Sequence, residues 1–119
     1  MGLHIVFTKG SIFKSSAEVL VNPVNTVGVM GAGLALQFKT KYPKNYKHYH
    51  AYCKSVKSFK EYDQCFLSEK DKIIYNLPTK ENYNQFSSLT DVGNVEDQIY
   101  NMTNAAFGTG LRSARLQTN

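Results

Sequence analysis

Asn22, Asn25, Gly28, Gly31 and Gly33 stand together in one stretch, NPVNTVGVMGAG. Three glycines after a short apolar run, and just before a helical pattern, suit the holding of an anion. Backbone N–H groups at a helix N-terminus lack partners within the helix, and the helix dipole favours negative charge there. Glycine has no Cβ, so the backbone can approach a phosphate closely. The two asparagines admit two readings. They can touch a ligand, or they can satisfy the loop's own backbone, as Asn often does in turns.

The elements that must position this stretch follow from the flanking pattern. Leu3 to Thr8 is apolar and β-branched and reads as a first strand, followed by a turn at Lys9-Gly10-Ser11. Glu18 to Asn22 reads as a second strand, and its continuous apolar run suits a sheet covered on both faces. The loop is expected from Pro23 to Met30 and a helix from Gly31 to Tyr42, ended by Pro43. Pro43 then opens a second helix, where Tyr46, Tyr49, Cys53 and Val56 make one apolar face. Gln64 to Leu67 and Lys72 to Leu77 read as a hairpin. A polar loop from Glu81 to Ser88 leads to a last helix, capped by Ser88 or Thr90 and carrying Ile99, Met102, Ala106 and Phe107. This alternation predicts an α/β domain with a mixed sheet over residues 1–107, and the polar residues 108–119 read as a frayed tail.

The chain has 119 residues, enough for one domain, and 42% of them are apolar. No apolar run approaches the length of a membrane span. The N-terminus lacks the basic region and cleavage site of a signal peptide, so a cytoplasmic protein is expected. Cys53 and Cys65 form neither a CxxC pair nor a disulfide framework and are expected reduced. His4, His48 and His50 have no cysteine partners at zinc spacing, so no metal is expected; His48 and His50 read as surface groups. The net charge of +5 is unevenly placed. No Asp or Glu occurs from Val19 to Lys60, where Lys39, Lys41, Lys44, Lys47, Lys54, Lys57 and Lys60 alternate with tyrosines. A solvated helix face is one reading; a footprint for nucleic acid is the other.

VNPVNTVGVMGAGLALQFKTKYP, followed downstream by IIYNLPTK, closely resembles the macrodomain family. The resemblance is to the branch that contains bacterial antitoxins removing ADP-ribose from DNA and the human glutamate-ADP-ribose hydrolase. It implies a three-layer α/β/α fold with an ADP-ribose cleft at the strand ends. By position, Asn22 and Asn25 would flank the distal ribose, and Gly28, Val29, Met30, Gly31, Ala32 and Gly33 would form the first diphosphate loop. Ile12 would sit by the adenine. Lys80 matches the lysine that this branch uses in hydrolysis. No cofactor is implied, because ADP-ribose is itself the ligand or product.

Lysine chemistry sets a condition on that role. With an ordinary pKa near 10.4, about one lysine in 2,500 is neutral at pH 7. A nucleophile or acid/base at the anomeric carbon therefore needs desolvation or a neighbouring cation. The resemblance departs in two places. Many members carry Gly-Asp-Ile in the first turn, with the Asp on the adenine amino group; here it is Gly10-Ser11-Ile12. Relatives also continue after the last helix with a buried strand and a second glycine loop, and no apolar strand is evident after Phe107. A truncated or frameshifted product, a shortened natural variant, or a domain whose gap a partner subunit covers is the expectation. The partners implied are ADP-ribose or an ADP-ribosylated nucleic acid or protein. Besides hydrolysis, two other functions fit the sequence: non-catalytic capture of ADP-ribose, and assembly by a degenerate domain.

Overall fold

The computed structural model describes residues 2–8, 11–57, 61–80, 95–107 and 111–117. Its elements in order are β1 (Gly2–Thr8), a 3₁₀ turn (Ile12–Lys14), β2 (Val19–Asn25), α1 (Gly33–Lys41), α2 (Pro43–Ser55), β3 (Phe66–Glu69), β4 (Lys72–Lys80), α3 (Val95–Phe107) and β5 (Leu111–Gln117). The five strands make one sheet in the order β1-β5-β2-β4-β3. β1, β5, β2 and β4 run parallel, and β3 returns antiparallel to β4.

Alternation along β2 explains the layers. Leu20 and Val24 pack with Phe38 of α1 and with Tyr49 and Cys53 of α2. Val19 and Val21 turn to the other face and pack with Ile99 and Met102 of α3. Successive strand residues point to opposite faces, so two cores form, one under α1 and α2 and the other under α3. This is the expected three-layer α/β/α arrangement with a mixed sheet.

The helix junction follows from its sequence. Tyr42 ends α1, donating its N–H to the Phe38 carbonyl at 2.8 Å, and Pro43 begins α2. Pro lacks only a donor that the first helical turn leaves unpaired in any case. The next donors of α2 are met from β3: Glu69 accepts from the Asn45 N–H at 2.8 Å and the Lys44 N–H at 3.4 Å. A carboxylate at a helix N-terminus also complements the dipole. Lys70 reaches the α1 side of the same junction and donates to the Lys41 carbonyl at 2.6 Å. Lys70 and Asp71 themselves lie at φ 52° and 65°, as a two-residue hairpin turn requires. The hairpin link is thus shorter than the expected Ser68 to Asp71.

Three expectations need correction. Residues 111–117, expected in a frayed tail, form β5 between β1 and β2. Ala114 and Leu116 supply its buried side, while Ser113 and Arg115 alternate with them. The strand hides in sequence because only one of its faces is apolar. It also closes the side of β2 that the expected truncation left open, pairing Val19–Val21 with Ala114–Leu116. The domain boundary at residue 107 fails with the tail. β2 runs on through Pro23 to Asn25 instead of opening into a loop at Pro23. Past Val21 it pairs with β4 alone, which leaves room for a residue without an N–H. β4 likewise extends past the expected Leu77 to Lys80, so Pro78-Thr79-Lys80 is strand. The second glycine loop has no counterpart among the described residues. The polar loop at 81–88 and the caps Ser88 and Thr90 lie outside them.

Candidate functional site

β2 and β4 run parallel and end together. Their register skips one residue, with Val24 opposite Pro78 and Asn25 opposite Lys80. Bulges often sit beside active sites and re-aim the neighbouring side chains. The Lys80 backbone is thereby placed beside Asn25 at the carboxyl ends of the strands, where open α/β sheets hold ligands. The Lys80 side chain lies outside the described residues.

Asn25 builds the adjoining loop. Its Oδ1 accepts from the N–H groups of Val27 at 3.0 Å, Gly28 at 3.2 Å and Val29 at 3.4 Å. Its Nδ2 donates to the Val29 carbonyl at 2.8 Å. The Tyr49 hydroxyl, from α2, is shared between Asn25 Oδ1 and the Asn25 carbonyl, 2.8 Å from each. Burial, followed by the neighbouring Cys53, pushes that hydroxyl well above its ordinary pKa, so it stays a donor. Asn25 is thus a buried hub whose side chain is committed to the loop.

Asn22 is used differently. It is fully buried, and its Nδ2 donates to Asn76 Oδ1 at 3.3 Å and lies 3.8 Å from Met30 Sδ. Asn76 and Asn45 pair reciprocally at 2.9 and 3.0 Å, and Asn76 Nδ2 also donates to Cys65 Sγ at 3.5 Å, so that Asn76 turns its oxygen toward Asn22. Flipping the Asn22 amide would bring its oxygen against the Asn76 oxygen. The consequence is that Asn22 Oδ1 is buried with no hydrogen-bond partner among the described residues. Such an orphan costs roughly 1–3 kcal/mol.

The glycine loop takes the conformation its sequence allows. Gly28 has φ +98° and Gly33 φ +58°, both in the region that favours glycine. A Cβ on Gly28 would lie 3.3 Å from His50 Nδ1 and 3.4 Å from Cys53 Cβ, so the loop rests directly on α2. Gly31, Ala32 and Gly33 are exposed, and a Cβ on Gly33 would meet open space. α1 starts at Gly33 with no side-chain cap on its first turn, which leaves its N–H groups available. Val29 is 40% exposed at the rim, and Met30 is buried beneath it at 1%.

The structure brings Asn22, Asn25, residues 28–33 and the Lys80 backbone to one end of the sheet. Ile12 differs: it is fully buried in the core under α1 and α2. Sequence reasoning missed Tyr49 and His50 as supports of the loop. His50 is half-buried and sits with Nδ1 3.0 Å from the Gly28 carbonyl. The available signal was their place beside Tyr46 and Cys53 on the apolar face of α2. Among the described residues no three His, Cys, Asp or Glu side chains gather as a metal site, and no helix is long and apolar enough to cross a membrane.

Known proteins share this fold. No family model matches the chain. A DNA ADP-ribosyl glycohydrolase from Thermus aquaticus is 39% identical over 87 residues, which is 70% of this chain and 24% of that protein. A protein of the same name from Mycobacterium tuberculosis is 37% identical over 98 residues, 77% of this chain and 28% of its own length. The chain thus spans about a quarter of the curated relatives it matches. The macrodomain of Thermus aquaticus DarG superposes with a TM-score of 0.74 at 24% identity, covering 99% of this chain and all of that one (100%). The macrodomain of Mycobacterium tuberculosis DarG gives 0.66 at 25% identity, with 99% and 100% covered. With the asparagine-ended strand, the glycine loop and the fold all in place, this chain is a macrodomain, similar to the macrodomains of DarG.

Proposed function

We propose that this chain binds ADP-ribose and hydrolyses it from modified DNA. One observation carries the reading. β2 ends in Asn25 and the glycine loop, and the register of β4 sets Lys80 beside Asn25. The exposed residues 31–33 and the uncapped start of α1 suit a diphosphate. Asn22 Oδ1 suits a donor such as a ribose hydroxyl, which would relieve a buried orphan. Lys80 then acts at the anomeric carbon as nucleophile or acid/base. The relatives named for activity on DNA support the choice of substrate. So do Lys39, Lys41, Lys44, Lys47, Lys54 and Lys57, all exposed on or beside α1 and α2; Lys60 lies outside the described residues. Cys53 and Cys65 are buried free thiols, in keeping with a reducing cytoplasm.

The test is release of ADP-ribose from an ADP-ribosylated oligonucleotide. The wild-type chain is expected to release it. Lys80→Ala is expected to lose at least about 100-fold in rate while keeping its affinity for free ADP-ribose. Binding without release would identify a non-catalytic reader. Unchanged turnover in Lys80→Ala would remove Lys80 from the mechanism.

A further inference from the structure

The glycine loop is held from two sides. Asn25 ties it from within. From α2, His50 Nδ1 sits 3.0 Å from the carbonyl oxygen of Gly28. A carbonyl can only accept, so Nδ1 carries the hydrogen and donates it. The imidazole is itself oriented, stacked on the Tyr46 ring with centroids 5.7 Å apart. Tyr46 in turn lies under Lys39 Nζ, 4.5 Å from its centroid. The approach is tight enough that a Cβ on Gly28 would meet His50 Nδ1 at 3.3 Å.

We infer that His50 is a positioning residue for anion binding: its Nδ1–H latches the Gly28 carbonyl and so fixes the Gly28–Val29 peptide unit from which residues 30–33 lead into α1. A peptide unit is planar, so fixing the Gly28 carbonyl also fixes the Val29 N–H on the far side of that bond. With φ +98° at Gly28, the backbone there has alternatives that only glycine can visit. Asn25 Oδ1 restrains the Val29 N–H weakly, at 3.4 Å. His50 supplies the shorter restraint on that same peptide unit. The inference rests on the ADP-ribose reading for its ligand, but the latch itself is measurable without one.

Two variants separate the latch from general damage. His50→Leu removes the donor and keeps the bulk. His50→Asn keeps an N–H donor near the position of Nδ1. In the ligand-free chain, amide exchange at Val27, Gly28 and Val29 is expected to quicken about five- to tenfold in His50→Leu and to recover in His50→Asn, with exchange in α3 unchanged in both. Titration with ADP-ribose is expected to show about five- to tenfold weaker binding for His50→Leu, with recovery in His50→Asn. On modified oligonucleotide the change should appear in KM, with kcat within about twofold. Unchanged loop exchange in His50→Leu overturns the latch. Faster loop exchange with unaltered ADP-ribose affinity overturns its role in binding. A wild-type chain that binds no ADP-ribose sinks the functional reading, and the exchange comparison still decides the latch.

Discussion

Asn22 and Asn25 are three residues apart on one strand, and the fold treats them in opposite ways. Asn25 spends both ends of its amide on the loop and on Tyr49, so its work is to make a shape. Asn22 is pinned at one end by Asn76 and keeps a buried oxygen with no partner among the described residues. Stability alone would favour satisfying or removing that oxygen. A site that must recognise a donor favours keeping it. Under the proposed function, the contrast separates the part of the site that is architecture from the part that would meet the ligand.

The largest expected effect is at the architectural end. Asn25→Ala removes every hydrogen bond that the Asn25 side chain makes to the loop and is expected to cost about 3 kcal/mol, with loss of ADP-ribose binding. Chemical denaturation and calorimetry would measure both. A small loss of stability would show that the loop is held elsewhere. Gly28→Ala comes next, at about 1–3 kcal/mol, because an L-residue is strained at φ +98° and its Cβ would press on His50 and Cys53. At the binding end the signs separate. Asn22→Leu removes the orphan while Asn76 Oδ1 retains Asn45 as donor. Stability is expected to stay within about 1 kcal/mol or rise, while ADP-ribose affinity falls about tenfold or more. A parallel fall of both would erase the contrast.

How much of the molecule was legible in sequence depends on where each interaction reaches. The loop, the α1–α2 junction and the β3–β4 pairing are local, and their glycines, Pro43 and alternating apolar residues announce them. β5 was not legible because a central parallel strand usually reads as a continuous apolar run. Here Arg112, Ser113 and Arg115 interrupt it, and among the described side chains Ala114 and Leu116 mark its buried face. The extension of β2 through Pro23 depends on β5 pairing with Val19–Val21 and no further, a fact of tertiary structure. Asn22 and Asn25 looked equivalent in sequence. Their difference comes from Asn76, Asn45 and Tyr49, which lie 20 or more residues away.

A smaller effect sharpens the same comparison from below the loop. Burial raises the Cys53 thiol from 9.0 to about 11. The folded chain then holds its proton where the unfolded chain releases it. Stability is therefore present below about pH 9 and is lost as pH rises through about 11. In alkaline denaturation Cys53 should contribute a loss on the order of 1 kcal/mol over that window. Cys53→Ala should reduce the alkaline loss by about that much, the rest remaining with Cys65 and the buried tyrosines, which burial raises likewise. A loss equal in both proteins would place the alkaline sensitivity elsewhere.

The most direct measurement is calorimetric titration of ADP-ribose into the wild-type chain and Asn22→Leu side by side. The account predicts saturable one-to-one binding by the wild type, and binding weaker by about tenfold or more in a variant that melts no lower. Equal affinity in the two proteins, or no binding by the wild type, would contradict it.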